Sequence, residues 1–354
     1  MTARTTARRL ARRPIALGAS AVAATLLLAG CVAGEGEAQA APEDGTTAEG
    51  WSADTLTLDF ATYNPLSLVI KDQGWIESTL GDDVTVEWVQ SAGSNKANEA
   101  LRAGAVDVGS TAGSAALLAR SNGSPIRTID VYSQPEWAAL VVPEGSDITD
   151  VADLAGRSVA ATKGTDPYFF LLQALDEAGV DPADVEVQNL QHADGKAALE
   201  NGSVDAWSGL DPLMAASEAE AGSTLLYRNV DFNTYGFLNA TQDFLDASPD
   251  LAQVVVDAYE KARAWAQENP DEVVSILAEV AGIDPAVAET VITERTTLDI
   301  DPVPGDAQRA VLEVVGPIFV ESGDVASQDL VDAALDELFE PTYAEAADPS
   351  TIAG

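Results

Sequence analysis

A short sequence pattern that occurs twice constrains the fold of this chain more than any other feature. The two copies are LRAGAVDVGS, from Leu101 to Ser110, and LENGSVDAWS, from Leu199 to Ser208. Each copy reads as the end of a helix, a glycine that stops it, a short buried strand and a loop that opens another helix. The same unit in two halves of the chain predicts two lobes of similar build.

Helical and strand-like segments alternate around both copies with short loops between them, which predicts an α/β fold with parallel, helix-covered sheets. Beyond Ser248 the apolar spacing is helical only, and we expect these last helices to pack on the first lobe. We place lobe 1 at residues 53–138 and 238–343, and lobe 2 at residues 139–237. Because ligands bind at the carboxyl ends of strands in open α/β sheets, the loops after the two repeated strands predict a cleft between the lobes.

The N-terminus has the features of a secretory signal. Residues 1–30 contain five arginines, no acidic residue and an apolar run that begins at Ile15. The sequence LAGC, from Leu28 to Cys31, resembles a bacterial lipobox, which implies cleavage before Cys31 and a lipid on its sulfur. We therefore predict a signal peptide at residues 1–30 and a lipidated Cys31 with a flexible tether at residues 31–52. The mature protein would be held at the outer face of the cell membrane by this lipid alone.

The composition excludes several classes of function. A formal net charge of −40 disfavours nucleic acid and anionic lipid as partners. Cys31 is the only cysteine and His192 the only histidine, so we expect no disulfide, no histidine-based metal site and no cofactor. We expect His192 to be an exposed loop residue beside Asp194.

Three longer stretches carry a resemblance to a known family. They are VEWVQSAGSNKANEALRAGAVDVGSTAGS from Val86, LVVPEGSDITDVADLAGRSVAATKGT from Leu140 and LQHADGKAALENGSVDAWSGLDP from Leu190. With these stretches the chain resembles the substrate-binding proteins of bacterial ABC importers, in particular the aliphatic-sulfonate, taurine and nitrate group. It is also similar to binders of thiamine precursors. The resemblance implies a monomeric two-lobe clamp, like the type II periplasmic binding proteins, that closes on a small organic anion without catalysis and delivers it to ABC permease subunits.

The sequence departs from the sulfonate-binding pattern in two places. That group usually carries aromatic residues on both sides of an Asp-Pro pair, whereas Leu210 and Leu213 flank Asp211-Pro212 here. The loop after Lys163-Gly164 usually holds further small hydroxyl residues, whereas Asp166-Pro167-Tyr168 stands in this chain. Both departures concern the substrate and leave the predicted fold unchanged.

Helix starts near strand ends are the candidate anion sites, because their free backbone N–H groups and the helix dipole favour negative charge. The four candidates are Asn64-Pro65, Ser94-Asn95, Thr111-Ala112-Gly113-Ser114 and Gly164-Thr165-Asp166. Each of them can equally be a plain helix cap, with Asp166 as the capping side chain in the last one. The resemblance favours ligand contact for Ser110, Thr111, Gly113, Ser114 and Thr165.

Charged and aromatic side chains complete the candidate site. Lys96 and Lys163 are possible counter-charges for an anion, although either can be a solvated side chain. Asp166 or Asp211 could accept a hydrogen bond from an ammonium group, so we hypothesise an amino-sulfonate-like or otherwise zwitterionic ligand. The aromatic residues that could wall the cleft are Tyr63, Trp137, Tyr168, Trp207 and Tyr235, whereas Trp75, Trp88 and Trp265 fit core or helix-face positions.

Other interpretations stay open at the level of sequence. The same clamp could bind nitrate or a pyrimidine or amine that resembles a thiamine precursor. An enzyme on the same fold is a more remote alternative, because the chain has no G-x-S-x-G, P-loop or H-E-x-x-H motif. A third alternative is a surface adhesin or sensor partner that uses the acidic face.

Overall fold

The computed structural model describes residues 50–354, so the predicted signal peptide, the lipobox cysteine and nearly all of the predicted tether lie outside the described residues. The strands are β1 (Thr55–Phe60), β2 (Thr85–Gln90), β3 (Val108–Ala112), β4 (Ile126–Pro135), β5 (Ala138–Val142), β6 (Ser158–Ala161), β7 (Glu186–Asn189), β8 (Ala206–Leu210), β9 (Thr224–Tyr227), β10 (Gly236–Thr241) and β11 (Thr296–Thr297).

The helices in the first half of the chain are α1 (Pro65–Gln73), α2 (Trp75–Leu80), α3 (Ser94–Ala103), α4 (Gly113–Ser121) and α5 (Asp166–Glu177). Those in the second half are α6 (His192–Glu200), α7 (Leu213–Ala221), α8 (Gln242–Ala247), α9 (Pro249–Glu268), α10 (Pro270–Ala281), α11 (Pro285–Glu289), α12 (Asp306–Glu321), α13 (Gln328–Leu338) and α14 (Thr342–Glu345). Within residues 50–354, no helix has both the length and the apolar composition that crossing a bilayer would require.

The strands form two sheets. The first has the order β11-β4-β10-β3-β1-β2 and the second has the order β7-β6-β8-β5-β9. We call each sheet with its covering helices a lobe. The chain passes from the first lobe to the second between β4 and β5, and it returns between β9 and β10; we call these two connections the crossings. The predicted α/β class and two-lobe architecture are therefore confirmed.

Both sheets are mixed, which differs from the parallel sheets that the sequence predicted. β1 runs parallel to β2 and β3, and β6 runs parallel to β7 and β8. The two strands that follow the crossings, β5 and β10, are antiparallel to their neighbours. A parallel strand needs a long connection that carries the chain back to the starting edge of the sheet. A strand that enters directly from the other lobe has no such connection, so it runs in the opposite direction.

Short local sequence patterns determine where the helices near the cleft begin and end. The Asn64 side chain accepts a hydrogen bond from the backbone N–H of Ser67 at 3.3 Å, and Pro65 is the first residue of α1. Both features are those of a regular helix start, as predicted. Gly104 ends α3 in the left-handed conformation, with φ of 63°, where a residue without Cβ is favoured.

The C-terminal helices pack on the first lobe, as predicted. The 20-residue helix α9 buries one apolar face against α1 and β4. Arg263 on this face donates hydrogen bonds to the carbonyl oxygens of Val131, at 2.7 Å, and Tyr132, at 3.0 Å, in β4. Helices α12 and α13 cover α4. Helix α4, whose Ser114 reaches the cleft, is thus packed against the C-terminal helices.

Candidate functional site

Residues from both lobes and from the first crossing line a small cavity between the sheets. Its volume is about 10 Å³ and its wall consists of Tyr63, Ser94, Ala112, Trp137, Thr165, Asp166, Pro167, His192 and Leu210. A cavity of this volume holds about one water molecule. The structure therefore shows the two lobes closed on each other.

Asp166 bridges the two lobes at this cavity. It is the first residue of α5, and it is only 2% exposed. One carboxylate oxygen accepts hydrogen bonds from the hydroxyls of Ser114, at the start of α4, and of Thr234, at 2.6 Å. The other oxygen accepts from the indole N–H of Trp137 at 2.9 Å and from the backbone N–H of Thr234 at 2.8 Å. Four uncharged donors from the first lobe and the crossings thus converge on one carboxylate.

The role of Asp166 in its own helix differs from the predicted one. Thr165 occupies the capping position of α5, and the Asp166 side chain turns away from the helix toward the first lobe. Burial raises the pKa of the Asp166 carboxyl above its ordinary value, while the hydrogen bonds from Ser114, Thr234 and Trp137 oppose this rise. Because the carboxylate has all four of its acceptor positions occupied, it holds the lobes together.

Two other predicted site residues, Ser94 and Thr165, belong to the cavity wall. Ser94 is the first helical residue of α3, with Gly93 in the capping position, so the predicted cap at Ser94 or Asn95 is wrong. The Ser94 hydroxyl oxygen accepts from the backbone N–H of Ala112 at 2.9 Å, which fixes the end of β3. The hydroxyl of Thr165 donates to the carbonyl of Thr162 at 2.6 Å. Both side chains therefore shape the wall through bonds to the protein.

Four predicted contact residues lie behind the cavity wall: Asn64, Ser110, Thr111 and Gly113. Ser110 donates its backbone N–H and its hydroxyl to the Asp59 carboxylate, at 2.8 and 3.1 Å. The Asn64 amide donates to the hydroxyl of Tyr259 at 3.0 Å. These residues support the wall through the core and do not face the cavity.

The two lysines that the sequence offered as counter-charges lie outside the cavity. Lys96 is exposed and forms a salt bridge of 2.8 Å with Glu99 on the same helix. Lys163 is also exposed, and its ammonium group lies 5.3 Å from the ring centre of Tyr168. Among the described residues, the cavity wall thus offers no lysine or arginine to an anion.

The lobes also touch at the rim of the cleft, where the first and second lobes each contribute a glycine. A Cβ atom at Gly164, which has φ of 77°, would lie 3.8 Å from Leu118 and 4.0 Å from Asn95. A Cβ atom at Gly93 would lie 2.9 Å from His192 Nε2. A Cβ atom at Gly93 would overlap with His192 and force the two loops apart, whereas one at Gly164 would make ordinary van der Waals contact across the cleft.

The predicted aromatic wall is partly present. Tyr63 and Trp137 meet edge to face across the cleft, with ring centres 6.1 Å apart. Trp207 is 1% exposed and packs in the core of the second lobe, where its indole fits only because residue 195 is a glycine. Tyr235 is half-buried and does not line the cavity.

A buried ion pair, which the sequence analysis missed, connects the lobes on the other side of Trp137. Arg295 precedes β11 in the first lobe and donates to both carboxylate oxygens of Asp211, each at 3.2 Å, in the second lobe. It also donates to Glu218 on α7 at 2.6 Å. Burial raises the pKa of Asp211 to about 6, and the Arg295 guanidinium limits this rise. The Asp211 carboxylate is therefore already paired with a cationic side chain of the protein itself.

His192 is buried, which contradicts the prediction of an exposed loop residue. It is 2% exposed, begins α6 and lines the cavity. The Gly93 loop of the first lobe covers it, and no local sequence pattern reveals that contact. Burial lowers the pKa of His192 to about 4, so the imidazole is neutral at physiological pH.

Outside the cleft, a cavity of about 750 Å³ lies between α5 and α12. Of the predicted wall residues it contains only Tyr168, and four acidic side chains line it: Asp176, Glu177, Asp181 and Glu321. This acidic lining does not suit an anion. Within residues 50–354, no group of three or more His, Cys, Asp or Glu side chains is placed to hold a metal ion.

Comparisons with known proteins agree with this architecture. An Escherichia coli (strain K12) protein described as an aliphatic sulfonates-binding protein is 30% identical over 230 residues, which cover 64% of this chain and 72% of that protein. The taurine-binding periplasmic protein of the same strain is 27% identical over 253 residues, 66% of this chain and 73% of that protein. The crystal structure of the periplasmic aliphatic sulphonate binding protein SsuA from Escherichia coli superimposes with a TM-score of 0.69 at 25% identity. The superposition covers 82% of this chain and 93% of SsuA.

The family itself follows from a match to a sequence model described as NMT1/THI5 like. This match extends over residues 68–273, which is more than half of the chain. It includes α4, both crossings and the start of α5, and hence the residues that meet at Asp166. By this match and by its similarity to these binding proteins, the chain belongs to the NMT1/THI5-like family.

Proposed function

We propose that this protein is the extracytoplasmic solute-binding component of an ABC importer and captures a small organic anion of the sulfonate or taurine type between its lobes. The observation that carries the proposal is the convergence of four uncharged donors on the Asp166 carboxylate in the interlobe cavity. The similarity to sulfonate-binding and taurine-binding proteins supports the same ligand class.

The chemistry of this site suits an oxyanion. A sulfonate presents three acceptor oxygens, and the donors from Ser114, Trp137 and Thr234 already accommodate a carboxylate at that place. The nine-residue helix α4 adds the partial positive charge of its N-terminus. The donors are uncharged, so they can hold an anion and release it again to a permease. The ligand's oxyanion would take the place of the Asp166 carboxylate.

Binding without catalysis is part of the proposal. Ligand bridges the lobes and stabilises the closed state relative to the open state, which is a shift of populations. The relatives described above are binding proteins, and this supports a non-catalytic role.

Thermal unfolding in the presence of small anions tests the ligand class. Ligand at 100 times its dissociation constant adds about 2.7 kcal/mol, which raises the midpoint by roughly 5 °C in a domain of this size. We expect this shift with taurine or ethanesulfonate. Ethyl methyl sulfone, an uncharged molecule of similar shape, is the control and leaves the midpoint unchanged. If nitrate, sulfate, bicarbonate or pyrimidines shift the midpoint and sulfonates do not, the proposed ligand class is wrong.

Attachment to the membrane through Cys31 is the second part of the proposal. Its support is the sequence LAGC at the end of an apolar, acid-free N-terminal segment. In a bacterial host that processes lipoproteins, the full-length chain partitions into the detergent phase of Triton X-114. The Cys31→Ser variant moves to the aqueous phase. Equal partitioning of the two proteins would exclude a lipid on Cys31.

A further inference from the structure

The single histidine of the chain contributes an unused acceptor atom to the interlobe cavity. His192 lies in the second lobe, and its Nε2 atom is buried and has no hydrogen-bond partner among the described residues. The residue is 2% exposed and belongs to the wall of the same cavity as Asp166. An unsatisfied buried acceptor costs about 1 to 3 kcal/mol. At a binding cavity such an atom is a candidate partner for a donor on the ligand.

The hydrogen bonds around the ring assign its tautomer. The Thr162 hydroxyl donates its only hydrogen to the carbonyl oxygen of Leu190, at 2.7 Å. Toward His192 Nδ1, at 3.2 Å, the same hydroxyl oxygen can only accept. Nδ1 therefore carries the hydrogen, and Nε2 carries a free lone pair. Because burial lowers the pKa of His192 to about 4, the ring stays in this neutral form at physiological pH.

A second unsatisfied acceptor lies close to His192 in the opposite lobe. Asn95 Oδ1 is buried and has no hydrogen-bond partner within residues 50–354. A Cβ atom placed on Gly93 would lie 3.0 Å from Asn95 Oδ1 and 2.9 Å from His192 Nε2. The two acceptors thus approach the same part of the cleft from different lobes. A hydrogen-bond donor between them would add to the attraction between the lobes.

We propose that His192 Nε2 binds an N–H or O–H donor of the ligand and so selects sulfonates that carry an amino or hydroxyl group beside the anionic group. This inference rests on the proposed function, because it concerns a ligand whose oxyanion takes the place of the Asp166 carboxylate. The remainder of the cavity wall near His192 includes Ala112, Pro167 and Leu210, whose side chains cannot hydrogen-bond. Of the hydrogen-bonding side chains in the wall, His192 offers an acceptor atom that has no partner among the described residues, and a donor on the ligand can use it.

Titration calorimetry with three matched ligands tests the inference. Taurine and isethionate carry a donor on the second carbon, whereas ethanesulfonate carries none. A hydrogen bond to a buried acceptor contributes about 1 to 1.5 kcal/mol, so we expect the wild-type chain to prefer the first two ligands by roughly tenfold. In His192→Phe, which keeps a planar aromatic ring and removes the acceptor, the preference disappears. His192→Gln, whose side-chain oxygen can accept, retains part of it.

The outcomes separate this inference from the proposed function. If the wild-type chain binds all three sulfonates equally, or if His192→Phe keeps the preference, the inference is wrong and sulfonate binding stands. If the wild-type chain binds none of them, the proposed function itself is wrong and the inference with it. The thermal midpoint of each variant, measured without ligand, shows whether it is folded. The preference is the ratio of the taurine and ethanesulfonate dissociation constants within one variant, so a change of the cleft that affects both ligands equally cancels.

Discussion

Replacement of Asp166 by alanine lowers the unfolding free energy by an expected 3 to 5 kcal/mol, or about 6 to 10 °C in the thermal midpoint. The buried N–H groups of Trp137 and Thr234 lose their acceptor and have no alternative partner in the closed cleft. The hydroxyls of Ser114 and Thr234 can rotate to other acceptors and contribute less. Asp176→Ala, an exposed carboxylate on the same helix, is the control and changes the midpoint by less than about 1 °C.

The same variant should respond to small anions. Removal of the carboxylate leaves a space the size of formate, lined by donors that already accommodate a carboxylate. We expect formate to restore part of the lost stability of Asp166→Ala and to leave the wild-type chain unchanged. Sodium chloride at equal ionic strength is the control for screening. If formate has no effect on Asp166→Ala, or if the variant melts at the wild-type temperature, the donors do not form an anion site.

Replacement of Arg295 by leucine has the second large expected effect. It leaves Asp211 buried without its cation, and the loss of one partner from a buried ion pair costs about 3 to 5 kcal/mol. The exposed pair between Arg228 and Glu136, beside the same crossing, is the matched control. Its loss in Arg228→Leu costs less than about 1 kcal/mol. Equal melting temperatures for the two variants would show that the buried pair does not hold the lobes together.

The loss of stability in Arg295→Leu should increase with pH. In the wild-type chain burial raises the pKa of Asp211 to about 6, above its unfolded value, so ionisation of this carboxyl removes stability as the pH rises from about 4 to 6. Without Arg295 the pKa of Asp211 rises further. Each additional pKa unit lowers the unfolding free energy by about 1.4 kcal/mol at a pH where Asp211 is ionised. We therefore expect the difference in unfolding free energy between the wild-type chain and Arg295→Leu, measured with urea, to be larger at pH 8 than at pH 5. A difference that is the same at both values would contradict the assigned role of Asp211.

Much of the fold follows from patterns within short stretches of sequence. Asn64-Pro65 as a helix start and Gly104 as a helix stop depend on neighbouring residues, and both are present. The long helix after Ser248 follows from its own apolar spacing. The directions of β5 and β10 could not be predicted in this way, because they depend on where the chain crosses between lobes.

The partners within the candidate site could not be predicted, because they are distant in sequence. The residues that donate hydrogen bonds to Asp166 are 29, 52 and 68 positions away in sequence: Trp137, Ser114 and Thr234. Arg295 reaches Asp211 across 84 positions. The sequence suggested Lys96 and Lys163 as counter-charges, and no local signal distinguished Arg295 from the exposed arginines.

The location of Trp137 and Thr234 on the two crossings determines how this cleft can open. When one lobe rotates, each atom moves in proportion to its distance from the pivot, and the crossings are the pivot. The bonds from these two residues to Asp166 lie at the pivot and have short lever arms, so a given rotation displaces them less than a contact that lies farther from the crossings. We expect opening to begin with the contacts between the lobes that lie farther from the crossings. We therefore expect a solute to enter the outer part of the cleft while the Asp166 carboxylate still accepts hydrogen bonds from both crossings.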